Sequence, residues 1–348
     1  MTATKTDSGN FFEDFSLGMV MRHATPRTVT EGDRALYQAL YPMRFALQSS
    51  DVFAQDCGYE EAPLDDLAAF HIVFGKTVPD ISLNAVANLG YAEGRFLCAV
   101  HVGDTLNSVS EVIGVKENSN GKTGVVWVRT SGTNQVGEVA LEYVRWVMVR
   151  KRDAANPAPE PVVPNLTDAV AASDLVLPES LDFGEYDTDL AGAPHLWDDY
   201  DVGEKIDHVD GVTLEEAEHM LATRLWQNTA KVHFSTMVRP EGRLIYGGHI
   251  ISLARALSFN GLANAQLIVA INGGAHAAPS MAGDTIHAWS EVLDKSETSD
   301  PNVGALRLRL VAVKNRTAED FPLKGADGRY AEGVVLDFDY WVLMPRRG

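Results

Sequence analysis

Cysteine is scarce. Cys57 and Cys98 are the only two in 348 residues, too few for a disulfide framework and at a separation that fits no metal-ligand pattern. Both read as small buried hydrophobes. Positive charge is also short, with 29 Lys and Arg against 48 Asp and Glu and a formal net charge of -19. A nucleic-acid partner needs a clustered surplus of Lys and Arg, so that class is excluded, while a local basic pocket for an anionic ligand is not. Long apolar runs are missing too. The most hydrophobic stretch, 250–271, is interrupted by Arg255, Asn260 and Gly261, and no membrane partner is expected. The opening residues MTATKTDSGNFF lack the apolar run of a signal peptide, and Glu13 and Asp14 do not suit a transit peptide. A soluble, cytoplasmic protein is expected. With 45% apolar residues, the chain can bury a large core without covalent staples.

What is present is written twice. Phe12-Glu-Asp-Phe-Ser-Leu-Gly18 is echoed by Trp197-Asp-Asp-Tyr-Asp-Val-Gly203, and Thr30 with Asp33 by Thr213 with Glu216, both in the pattern of a helix capping box. Val73-Phe-Gly75 pairs with Ile245-Tyr-Gly247, Gly103-Asp-Thr105 with Gly283-Asp-Thr285, Ser110-Glu-Val112 with Ser290-Glu-Val292, and Leu141-Glu-Tyr143 with Leu336-Asp-Phe338. The pairs keep their order at nearly constant offset, the mark of a duplicated domain. Between the copies lies a Pro- and Ala-rich linker, 152–195, dividing a first domain (1–151) from a second (196–348).

Each copy reads alike. A short capped helix comes first, with Leu214, Ala217, Leu221 and Leu225 on one face of the second example. A largely apolar helix follows, expected over 78–89 (Pro79 in its first turn, Gly90 its stop) and over 248–260 (Gly261 its stop). Strands are expected over 105–116, 123–130 and 139–150, then over 285–293, 305–313 and 334–344. Leu306, Leu308 and Leu310 alternate with Arg307 and Arg309, as in a sheet with one covered face. The fold class is α+β: two antiparallel sheets, each curled around a helix and paired edge to edge.

Asn228 and His233 stand five positions apart after the amphipathic helix. Spacing alone leaves two options, a structural histidine or a catalytic one. Asn228-Thr-Ala-Lys-Val-His233 and Leu244-Ile-Tyr-Gly-Gly248 resemble the Asp-x-Asn-Pro-Leu-His and Ile-Leu-His-Gly motifs of MaoC-type, hydratase-2-like double hot-dog proteins. The histidine, the spacing and the glycine turn are kept; the aspartate is not. Longer stretches, HATPRTVTEGD (23–33), RFALQSS (44–50), FHIVFGKTVPDISLNAVANLGYAEGRF (70–96), QNTAKVHF (227–234) and YGGHIISLARALSFNGLANA (246–265), resemble the mesaconyl-CoA hydratase (β-methylmalyl-CoA dehydratase) branch of that family.

The resemblance implies reversible addition of water to a short, branched, dicarboxylic enoyl-CoA, with no cofactor beyond the coenzyme A of the substrate, in a homo-oligomer, a dimer being expected. Such chemistry needs a base for water and hydrogen-bond donors for the thioester oxygen. His233 is the candidate base, Gly247 and Gly248 offer backbone N–H groups at a helix start, and Tyr246 and His249 are candidate substrate contacts. Asn228 can hold water but cannot exchange a proton. Either His233 serves both proton steps, or a carboxylate such as Glu241 or Asp51 assists. Arg44, Arg243 and Arg255 are candidates for the substrate carboxylate, Lys76 and Lys231 for the coenzyme A phosphates. His23, His71, His208, His219, His276 and His287 read as structural. In the first copy the counterparts of Asn228 and His233 fall near Phe45 and Ser50, without a histidine, so one site per chain is expected. An acyl-CoA thioesterase and a non-catalytic acyl-CoA-binding module are the alternatives.

Overall fold

Leu306, Leu308 and Leu310 are buried, while Arg307 and Arg309 between them reach outward to Asp339 and Glu291. That alternation recurs along several strands of the computed structural model, which describes residues 5–347. The strands are β1 (Val20–Thr28), β2 (Ala85–Phe96), β3 (Thr105–Glu117), β4 (Thr123–Thr133), β5 (Val139–Arg150), β6 (Lys205–Thr213), β7 (Leu267–His276), β8 (Thr285–Glu297), β9 (Val303–Lys314) and β10 (Val334–Pro345). They form one antiparallel sheet in the order β1-β3-β4-β5-β2-β7-β10-β9-β8-β6. Read outward from its centre, each half has the same order. The halves join where Gly94 and Arg95 pair with Ile271 and Ala270. A Cβ at Gly94 would lie 2.8 Å from that of Ile271, so the seam closes because glycine is there.

The duplication extends to side chains. Phe12 and Trp197 sit on matching single turns and cover Gly124 and Gly304. His23 bridges Asp80 and Ser110, and His208 bridges the Asn260 carbonyl and Ser290. Both histidines hold structure, as expected.

Two buried helices fill the concave face, Asp66–Thr77 and Gly247–Leu257. They meet at His71 Nε2 and Ser252 Oγ, 2.8 Å apart. The second lies where expected. The first does not: the Asp65 carboxylate caps Leu67 N at 2.9 Å, and Pro79 belongs to the wide turn Val78–Ser82 that ends the helix. The apolar run after it is β2 at the sheet centre. Short apolar runs do not separate a buried strand from a buried helix by period alone, and Pro79 follows a helix instead of opening one. Gly75 is therefore near the close of its helix and is no counterpart of Gly247; that place is taken by Asp66. A Cβ on Gly75 would collide with the Trp226 carbonyl, so its role is close packing between the halves.

The Thr30 capping box forms, with Asp33 N donating to Thr30 Oγ1 at 3.3 Å and Thr30 N to Asp33 Oδ2 at 2.9 Å. Its expected partner does not. Thr213 ends β6, with its hydroxyl 2.9 Å from Thr285 Oγ1, and the helix Glu216–Leu225 starts without a side-chain cap. Its inward face carries His219, Ala222, Thr223 and Leu225, while Ala217 and Leu221 are exposed. Polar residues with buried partners hold that face, a pattern hydrophobicity cannot reveal. Residues 151–195 are largely irregular and lay Val170, Leu181, Phe183 and Ala191 against Val269, Trp341 and Leu343 on the sheet face turned away from the helices. Cys57 is buried and Cys98 only partly so. No helix among the described residues is long and apolar enough to cross a membrane.

Candidate active site

The short helix Lys231–Phe234 is too brief to be stable alone, and its third residue is His233. The ring is fixed by Nδ1, 2.7 Å from the Leu244 carbonyl oxygen. A carbonyl only accepts, so Nδ1 carries the proton and Nε2 keeps its lone pair. Burial pulls the imidazole pKa down to about 4, against the opposing hydrogen bond to Leu244. The ring is neutral at pH 7 and able to take a proton.

It faces a cavity of about 300 Å³ between the halves. Asn228, Tyr246, Gly247 and His276 of the second half line it, with Phe74, Asn88, Tyr91 and Arg145 of the first. Asn228 is 1% exposed, and its Oδ1 accepts from Ala230 N at 3.2 Å, which leaves Nδ2 as a donor; an amide is no acid. Gly247 opens an 11-residue helix whose first N–H groups have no partner within the helix, and the helix end favours negative charge. A Cβ there would meet Nε2 of His276 at 2.5 Å, so only glycine lets the turn approach that ring. Gly248 does not line the cavity. It packs behind the turn, where a Cβ would meet His71 Cε1 at 2.6 Å.

Around this site burial keeps further imidazoles neutral. The pKa of His71 and of His219 is lowered to about 3, and that of His249 and His276 to about 4. His219 Nε2 accepts from Tyr246 N at 3.0 Å, orienting the residue before the glycine turn. His249 Nδ1 lies 2.9 Å from Tyr41 OH, outside the cavity lining. His276 lines the cavity beside His233, unlike the other histidines read as structural, and its Nε2 is 3.3 Å from Tyr91 OH.

Neither proposed assisting carboxylate is near. Glu241 is exposed and paired with Arg239, and Asp51 pairs with Arg34. Among the described residues no Asp or Glu lines the cavity, even though the chain is rich in acids. The three arginines singled out from sequence are also elsewhere. Arg44 is exposed beside Phe259, Arg243 pairs with Glu216, and Arg255 is buried over the Phe45 ring, 3.6 Å from its centroid. Lys76 reaches Gln227 outside the cavity, whereas Lys231 lines it and donates to Asn84 Oδ1 at 3.2 Å. Sequence reasoning passed over Arg145, Ser280 and His276. Only Arg145 carried a signal: it shares the inward parity of Leu141, Tyr143, Val147 and Val149 on β5.

The matching place in the first half is filled. Gln48, third residue of the short helix Ala46–Ser49, stands where His233 does and donates to Asp66 Oδ2 at 3.0 Å, while Ile268 N donates to the same oxygen at 2.8 Å. Burial, reinforced by Asp65, pushes the Asp66 pKa up to about 8. The space left beside Asp66 is about 20 Å³, closed partly by Val176 and Pro178 of the linker.

The model of the mesaconyl-CoA hydratase family matches residues 2–323. A Cereibacter sphaeroides protein named mesaconyl-CoA hydratase is 70% identical, covering 98% of this chain and 100% of its own. A Chloroflexus aurantiacus protein named β-methylmalyl-CoA dehydratase is 63% identical, covering 99% and 100%. The crystal structure of a MaoC domain protein dehydratase from Chloroflexus aurantiacus superposes with a TM-score of 0.97 at 63% identity, over 99% of this chain and 100% of that one. A Mycobacterium tuberculosis protein with a double hotdog fold, 23% identical, gives a TM-score of 0.74 over 97% and 99% and shares the fold. The α+β double hot-dog architecture expected from the sequence is the one found.

Proposed function

Since the chain belongs to the mesaconyl-CoA hydratase family and is a hydro-lyase, we propose that it interconverts mesaconyl-CoA and β-methylmalyl-CoA with His233 as the proton-transfer group. Nε2 of His233 takes a proton from a water positioned with the help of the Asn228 amide. The water oxygen bonds to the β-carbon, and the electron pair of the double bond moves through the α-carbon to the thioester oxygen. That oxygen lies against the helix start at Gly247, whose N–H and helix dipole favour the developing charge. The α-carbon then takes the proton back from the same Nε2, restoring the carbonyl and the neutral ring. One group serving both steps implies addition on one face. The anionic substrate raises the basicity of the buried ring once bound, offsetting the desolvation that lowers it in the free enzyme.

The observation that carries this reading is a cavity that brings His233 and Gly247 together with no carboxylate among the described residues of its lining. In the same proposal residues 196–348 carry the chemistry, residues 1–151 shape the acyl pocket, and the chain is a cytoplasmic homodimer. Coenzyme A enters as part of the substrate, and no cofactor is required. The test is to mix the protein with mesaconyl-CoA, follow the ultraviolet absorbance of the conjugated thioester and titrate free thiol in parallel. Loss of conjugation without thiol supports hydration. Thiol release would mean a thioesterase, and saturable binding with neither change would mean a binding module.

A further inference from the structure

We propose that Arg145 receives the free carboxylate of the acyl chain and thereby selects dicarboxylic substrates. The proposal rests on the hydration reading above and adds the group that fixes the far end of the substrate. Arg145 comes from β5 of the first half and is fully buried, in the lining of the cavity that also holds His233. Its Nη2 donates to Thr77 Oγ1 at 2.8 Å, and its Nη1 reaches Asn88 Oδ1 at 3.5 Å. Among the described residues Nε has no hydrogen-bond partner. The guanidinium lies 4.4 Å from the Phe74 ring centroid, and the titratable neighbours that bear on it are the phenols of Tyr91, Tyr143 and Tyr246. Among the described residues no carboxylate is paired with it.

A guanidinium does not lose its proton in a protein, so this is a buried cation without a counter-ion. Such a charge is costly to bury unless a ligand completes it. A planar fork with a free Nε edge matches a carboxylate by two parallel N–H···O bonds. In mesaconyl-CoA the free carboxylate is attached to the β-carbon, the atom that takes the hydroxyl. Gripping it at Arg145 while the thioester oxygen rests at Gly247 would hold the double bond at both ends. Arg44, Arg243 and Arg255 point elsewhere, and among the described residues Arg145 is the arginine that lines the cavity.

The test compares kcat/KM for mesaconyl-CoA with that for 2-methylcrotonyl-CoA, in which a methyl group replaces the carboxylate. For Arg145→Met the ratio between the two should fall by on the order of 100-fold, and Arg145→Lys should recover part of it. If both substrates fall together and the ratio stays, Arg145 is structural and the proposal is overturned. A second measurement needs no variant: in the wild-type protein succinyl-CoA should inhibit at much lower concentration than butyryl-CoA, the same pair of groups on a saturated chain. Equal inhibition overturns the proposal even if the variants do not fold. A wild-type protein that hydrates neither enoyl thioester would remove the hydration reading, while the succinyl and butyryl comparison still judges the carboxylate grip.

Discussion

Adding one methyl group at Gly247 separates the chemistry from the fold. In Gly247→Ala the new Cβ would lie 2.5 and 2.6 Å from the two ring nitrogens of His276, where ordinary contact needs about 3.5 Å or more. The ring must retreat by roughly 1 Å. It is held by Tyr91, whose hydroxyl is 3.3 Å from Nε2 and whose ring centroid is 5.9 Å away. Overpacking of this kind costs about 1–3 kcal/mol of stability. The effect on turnover should be larger, because the helix start proposed to receive the thioester oxygen moves relative to His233; a shift of that size and a weakened oxyanion contact each cost about 100-fold. The assay is kcat/KM for mesaconyl-CoA hydration beside a thermal unfolding curve. A variant that stays folded and hydrates within about threefold of wild type would refute the placement of the thioester at this turn.

Protonated His233 cannot accept a proton, and its pKa is lowered to about 4, so kcat/KM should stay level from pH 7 to 5 and fall only near pH 4; a half-fall at the ordinary imidazole value of about 6.5 contradicts this. The assay must use brief pH jumps. Histidines 71, 208, 219, 249 and 276 are likewise depressed, so the unfolded chain binds more protons below pH 6.5 and their contribution to stability falls as pH drops through that range toward the folded values. Glu241→Gln and Asp51→Asn remove exposed, salt-bridged acids far from the lining and should leave turnover within about twofold. A large loss in either would restore a carboxylate partner for His233.

The strands of the outer sheet were legible because their alternation is strong, as at Leu306 to Leu310, and the second central helix because Gly247 and Gly261 bracket an apolar run of helical length. The first central helix lies one element earlier than its expected place because the run 78–89 reaches only the largely apolar start of β2, and the alternating Glu93 and Arg95 come after it. For the same reason Val73-Phe-Gly75 was matched to the wrong end of a helix. At the site, His233, Asn228, Tyr246 and Gly247 were reached from spacing and resemblance and share one cavity. Gly248 and His249 lie behind it, since consecutive helical residues point to different sides. Arg145 was passed over because an arginine on a strand reads as a surface residue until the parity of its neighbours is counted. His276 had no signal at all; it meets Gly247 only because β7 crosses the helix start.

The proposed hydration depends on the His233 imidazole for proton transfer, and His233→Ala removes it; the variant is assayed with mesaconyl-CoA under saturating conditions and checked for an unchanged unfolding temperature. A loss of at least about 1,000-fold in kcat is expected, in line with removal of a group that acts in two proton transfers. Turnover within about tenfold of wild type in a folded variant would contradict it.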